Sequence, residues 1–111
     1  MNESNINFYQ NIYDLVQLIP RGRVTTYGAI ANYLGAKQSS RVVGWALNQC
    51  HTQKMKIPAH RVVNRLGLLS GKAHFTPPEL MQQLLEQEGI VVENDKIQNF
   101  DKVFWNPILE L

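Results

Sequence analysis

The chain has 111 residues, 44% of them apolar, which suits one globular domain spanning 1–111 with a buried core and argues against disorder. No apolar run approaches the roughly 20 residues of a membrane span, Met1-Asn2-Glu3-Ser4-Asn5 is too polar for a signal peptide, and the lone Cys50 allows no internal disulfide, so a cytoplasmic protein without membrane contact is expected. The net charge is only +2, but no Asp or Glu occurs from Leu15 to Pro78, where Arg21, Arg23, Lys37, Arg41, Lys54, Lys56, Arg61, Arg65 and Lys72 supply nine of the eleven basic residues, a layout that favours nucleic acid over a merely uneven soluble surface.

In chain order, Phe8, Ile12, Leu15, Val16 and Ile19 recur at helical spacing, so an amphipathic helix is predicted over about residues 5–19, stopped by Pro20. Pro20 to Arg23 reads as a turn. Thr25 or Thr26 caps a short helix carrying Tyr27, Ala29, Ile30, Tyr33 and Leu34, and Gly35 ends it. After the loop Ala36-Lys37-Gln38, Ser39 or Ser40 caps a third helix through Arg41, Val42, Val43, Trp45, Ala46 and Leu47, with Trp45 expected inside. Two short helices joined by a tight glycine-containing turn fit a helix-turn-helix, or equally a helical hairpin packed for stability.

Cys50 to Lys56 reads as a polar connector, Ile57 to Val63 as a short extended segment, and Asn64-Arg65-Leu66-Gly67 as a turn, with Leu68 to Lys72 looping back. Thr76-Pro77-Pro78-Glu79 predicts a capping box opening a helix with Leu80, Met81, Leu84 and Leu85 on its apolar face and Gly89 after its end. Ile90 to Val92 is expected to be extended, and Phe100, Val103, Phe104 and Trp105 to dock on the core. Cys50, His51, His60 and His74 match no zinc spacing, and no glycine-rich phosphate loop is present, so neither a metal nor a nucleotide cofactor is expected.

Arg23-Val24-Thr25-Thr26-Tyr27-Gly28, then Ala31, Ser40-Arg41-Val42-Val43-Gly44, Ile57-Pro58-Ala59-His60-Arg61-Val62-Val63, Ser70-Gly71 and Glu88-Gly89 occur in one order along residues 6–92. Together they resemble the DNA-binding, active-site domain of the O6-alkylguanine-DNA alkyltransferases, and more closely the alkyltransferase-like proteins in which alanine or tryptophan replaces the alkyl-accepting cysteine. The resemblance implies a mainly α fold with a small β element, a winged-helix-like helix-turn-helix. It also implies minor-groove docking on duplex DNA containing O6-alkylguanine and extrusion of the damaged nucleotide, whose unstacking costs on the order of a few kcal/mol.

By the same resemblance, Tyr27, Ser40, Arg41 and Gly44 contact DNA. Arg41 fills the vacated stack, and Tyr27 crowds the target phosphate. Tyr27, Leu47, Ala59, His60, Leu69, Ser70 and Glu88 form the lesion pocket. Ala59 takes the acceptor's place, and its methyl group has no lone pair with which to attack. Alkyl groups larger than methyl would gain room there. The chain would then be a non-enzymatic, monomeric sensor that hands its lesion to nucleotide-excision-repair proteins.

Two departures stand out: Cys50 where the family usually has asparagine, and Leu69 near a frequent tyrosine after a shortened loop. Cys50 reads as an inert, partly buried thiol. Two other readings stay open at this point: a transferase or hydrolase using Cys50 or a His60-activated water, and a plain helix-turn-helix regulator.

Overall fold

The computed structural model describes residues 3–35, 40–50 and 56–111, with the backbone alone for 3–7. The Ala36–Gln38 loop, Ser39 and the connector residues 51–55 lie outside the described residues. The fold is mainly helical with two small two-stranded sheets.

Helix α1 (Glu3–Val16) packs Ile12, Leu15 and Val16 into the core and ends earlier than the apolar spacing predicts. Leu18 and Ile19 continue as a turn, which still buries Ile19 while Leu18 faces solvent. Strand β1 (Thr25–Thr26) leads directly into α2 (Tyr27–Tyr33). The Thr26 hydroxyl accepts the Ala29 amide at 3.0 Å, as an N-cap should. Gly35 then takes the left-handed conformation expected after a helix end. Helix α3 (Ser40–Gln49) lays Val43, Ala46 and Leu47 into the core, and the Tyr13 hydroxyl ties α1 to it by donating to the Ala46 carbonyl at 2.8 Å.

Residues 57–63 are not one extended segment. Ala59–Arg61 form a 3-10 turn, and only Val62–Val63 are strand, β2, parallel to β1 with Thr25 opposite Val62 and Thr26 opposite Val63. This short pairing matters for the site, because it sets the first residue of α2 beside the turn that carries Ala59. The C-terminal segment joins on the other side of β1: the Val24 amide donates to Val103 and the Trp105 amide to Val24, and Trp105 is buried.

The capping box at Thr76 is not formed. Helix α4 (Leu80–Gln87) begins after Glu79, which makes no side-chain cap. Pro77 precedes another proline, and a residue before proline is pushed out of the helical region, so the helix cannot start at Pro77. Met81 and Leu85 are fully buried, and Gly89 is left-handed just past the end.

Beyond Ile90 lies a hairpin that the alternation of residues does not announce. Strands β3 (Val92–Glu93) and β4 (Lys96–Ile97) pair antiparallel around Asn94 and Asp95, both at positive φ as a tight two-residue turn requires. This wing docks on the loop after β2: the Leu69 amide donates to Asp95 and the Ile97 amide to Gly67. Short helices α5 (Phe100–Val103) and α6 (Pro107–Glu110) close the chain. Among the described residues, no helix is long and apolar enough to cross a membrane.

Candidate nucleic-acid interface

Tyr27 is the first residue of α2, so the Thr26 cap fixes its position. Its ring runs between α3 and the loop at Ser70-Gly71. A Cβ on Gly44 would sit 3.9 Å from its Cε1, and one on Gly71 would sit 3.0 Å from its hydroxyl. Burial raises the Tyr27 pKa, a shift partly opposed by the hydrogen bond with Ser70. Tyr27, Leu47, Asn48, Ala59, Val62, Gly71, Phe75 and Met81 enclose a small cavity. Its water-accessible space is about 10 Å³, close to what one water needs. The room expected above the Ala59 methyl is therefore not open here, because the side chains around it leave space for about one water.

The predicted pocket residues divide. Tyr27, Leu47 and Ala59 line this cavity, and Ser70 reaches it through Tyr27. Leu69 does not: it is buried and lines a separate small cavity with Lys72, Pro78, Glu79, Gln82 and Asp95, because the wing's hydrogen bond holds its backbone. His60 and Glu88 do not line it either. The 3-10 turn sends successive side chains in different directions. His60 lines a separate cleft of about 520 Å³ with Gln17, Lys56, Ile57, Pro58, Arg61 and Leu84. Phe75, Met81 and Asn48 are wall residues that sequence reasoning missed; the apolar character of Phe75, just past the Ser70–Lys72 loop, was the available signal.

Glu88 is a junction. Its carboxylate accepts from the Gly22 amide at 2.8 Å, from His60 Nε2 at 2.6 Å, and from Arg61 Nε and Nη2 at 3.0 and 2.9 Å, while Arg61 Nη1 donates to the Ile19 carbonyl at 2.9 Å. Burial by itself would raise the Glu88 pKa, but these donors outweigh it and hold the carboxyl at about 2. Burial pushes His60 down from its ordinary value, against the pull of Glu88. A neutral His60 thus donates Nε2–H to the carboxylate. The Arg61 fork, absent from the sequence reading, makes this a clamp between the turn after α1, the Ala59 turn and the end of α4.

On the outer face, Ser40 opens α3 beside a groove shared with Tyr27, Gly28, Asn64, Arg65 and Leu66. Arg41 is exposed and, among the described residues, makes no hydrogen bond or ion pair. Trp45, expected inside, is 52% exposed. Val43, Ala46 and Leu47 already fill the core side of α3, and Trp45 projects away from them.

The acid-free stretch is not an acid-free surface. Glu110, Glu88 and Asp95 fold back to pair with Arg23, Arg61 and Lys72. Cys50 is buried, and burial pushes its thiol up to about 11. Among the described residues, no three His, Cys, Asp or Glu side chains gather as a metal would require.

Residues 7–90 match the family described as 6-O-methylguanine DNA methyltransferase, DNA binding domain. Alkyltransferase-like protein 1 of Schizosaccharomyces pombe is 34% identical over 104 residues, 90% of this chain and 95% of that protein. A DNA base-flipping protein of Escherichia coli is 35% identical over 106 residues, 94% of this chain and 78% of its own. Among solved structures, S. pombe Atl1 in complex with damaged DNA containing O6-carboxymethylguanine superposes with a TM-score of 0.82 at 32% identity, covering 96% of this chain and all of that one. Mycobacterium tuberculosis OGT in complex with DNA gives 0.58 at 28% identity, and this chain covers half of it.

Proposed function

Because the chain belongs to the 6-O-methylguanine DNA methyltransferase family through its DNA binding domain, we propose that it binds duplex DNA carrying an O6-alkylated guanine and holds the extruded base without taking its alkyl group. One observation carries this reading: the wall of the Tyr27 cavity offers the Ala59 methyl and no thiol. The chain's single thiol, on Cys50, is buried, is not on that wall, and is pushed towards its unreactive protonated form. The relatives' printed functions, base flipping and binding of O6-carboxymethylguanine DNA, support the same reading.

In this reading α3 enters the minor groove with Ser40 and Gly44 against its walls, and Arg41 replaces the extruded nucleotide. Tyr27 swings off Gly71 to admit the base, because the closed cavity has no room for one. Proteins that enter the minor groove commonly insert a side chain into the stack and bend the duplex. Little base identity is legible in that groove, so the lesion is sensed after extrusion, at Ala59, Leu47 and Ser70. His60 and Glu88 hold the turn that presents Ala59 and do not face the base. The cytoplasm as location, one DNA-binding domain for the whole chain, a monomeric state and handover to nucleotide-excision repair complete the proposal.

The test is competition binding between a duplex with one O6-alkylguanine and the same duplex undamaged, at two salt concentrations. The lesion duplex should win at both, while undamaged binding falls with salt as counterion release requires. Equal affinities would leave a plain helix-turn-helix protein.

A further inference from the structure

The exposed indole of Trp45 has no place in the sensor described so far. It is large, apolar and 52% open to solvent, on the same helix as the exposed Arg41. At 100° per residue, a step of four sets Trp45 about 40° around α3 from Arg41, one turn further along. Gly44 and Leu47, which look onto Tyr27 and its cavity, lie on the other side of Arg41 around the helix. The outward ridge of α3 therefore has two flanks, with the cavity on one and Trp45 on the other.

We propose that Trp45 is a second DNA-contacting side chain, which packs its indole against the minor-groove wall of the strand opposite the extruded nucleotide. This rests on the minor-groove docking proposed above. Two observations argue for DNA as the occupant. The ridge is continuous with the exposed Arg41, which is unpaired among the described residues, and α3 itself carries no carboxylate. A minor groove of about 6 Å is too narrow for a helix bearing an indole. Trp45 thus requires the groove to open on the undamaged strand, and apolar wedges open it in this way. The bend produced would ease extrusion of the base on the other strand.

The full chain has two tryptophans, and Trp105 is only 3% exposed, so fluorescence quenching by acrylamide reads mainly Trp45. A lesion duplex should shield it. Trp45→Ala, at a solvent-facing helix position, should fold normally and bind the lesion duplex about tenfold more weakly, as truncating an interface tryptophan does. Hydroxyl-radical footprints should then lose protection on the undamaged strand and keep it on the damaged one.

Affinity within twofold of wild type, with Trp45 still open to acrylamide in the complex, would overturn the proposal and leave the indole for a protein partner. Lost protection on the damaged strand instead would overturn the strand assignment. If wild type binds damaged and undamaged duplexes alike while Trp45→Ala weakens both tenfold, the Trp45 contact stands and the lesion reading falls.

Discussion

The hydroxyl of Tyr27 lies 3.0 Å from where a side chain on Gly71 would begin. Both residues wall the small cavity beside Ala59, so their close approach marks where that cavity would open to admit a base. Gly71 has ordinary negative φ, so alanine there strains no backbone and only presses on the tip of Tyr27. Gly71→Ala should change unfolding free energy by less than about 1 kcal/mol. It should also disturb the seat of Tyr27 and weaken lesion-duplex binding about fivefold relative to undamaged duplex, the size of a modest misplacement. Thermal denaturation and competition binding on one preparation check both parts.

The Glu88 clamp gives a pH signature with a definite sign. The folded carboxyl is held at about 2, against an ordinary 4.5. Its contribution is therefore full above 4.5 and drains away as the pH falls towards 2. His60, held below its ordinary 6.5, acts in the same direction: the unfolded chain takes up the proton first, so stability begins to fall below 6.5. Urea midpoints should drop steadily from pH 7 to pH 3. Glu88→Gln should already be destabilised at pH 7 by about 1–3 kcal/mol, because the partly buried Arg61 loses its carboxylate partner and keeps only the Ile19 carbonyl. It should lack the further loss that protonation of Glu88 adds to wild type below pH 4.5, and keep the part due to His60.

These two predictions rest on contacts that the sequence revealed unequally. The helical spacing of Ile12, Leu15 and Val16, the Thr26 cap and the left-handed Gly89 follow from local chemistry, and the structure has each of them. His60 and Glu88 were also legible, through resemblance, as residues of one site, but the Arg61 fork and the side of the turn that His60 takes were not, because a 3-10 turn redirects side chains that an extended strand would alternate. Trp45 could not be placed from spacing. Val42, Val43, Trp45 and Ala46 are apolar almost all round α3, and only tertiary packing decides which of them is left out. The β3–β4 hairpin has strands of two residues each, too short for alternation to register. The ion pairs of Glu110 and Asp95 join positions 87 and 23 residues apart from their partners, which no reading of linear charge can supply.

Thr25 offers a cleaner stability test. It is fully buried on β1, and among the described residues its hydroxyl has no hydrogen-bond partner. An unpaired buried hydroxyl costs more than a methyl of the same shape, so Thr25→Val should leave stability unchanged or raise it by up to about 1 kcal/mol. DNA affinity should not move. Chemical denaturation with a shared m-value checks the first point, and a loss above about 1 kcal/mol would mean that the hydroxyl is satisfied after all.

Arg41→Ala separates the finger from a simple phosphate contact. A finger that replaces the extruded nucleotide acts on lesion binding above all, so the variant should lose about tenfold or more in preference for the damaged duplex. A phosphate contact would weaken both duplexes equally and lower the salt slope by about one unit. Competition binding across a salt series distinguishes the two.

Recognition without transfer is tested most directly by following the alkyl group itself. The protein is incubated with a duplex whose O6-alkylguanine carries the radiolabel in the alkyl carbon, and the complex is then denatured and separated into protein and DNA. With the Ala59 methyl on the cavity wall and the Cys50 thiol buried, all label should remain on guanine in the DNA, however long the complex is held. Label on the protein, or released from the base into solution, would contradict the account.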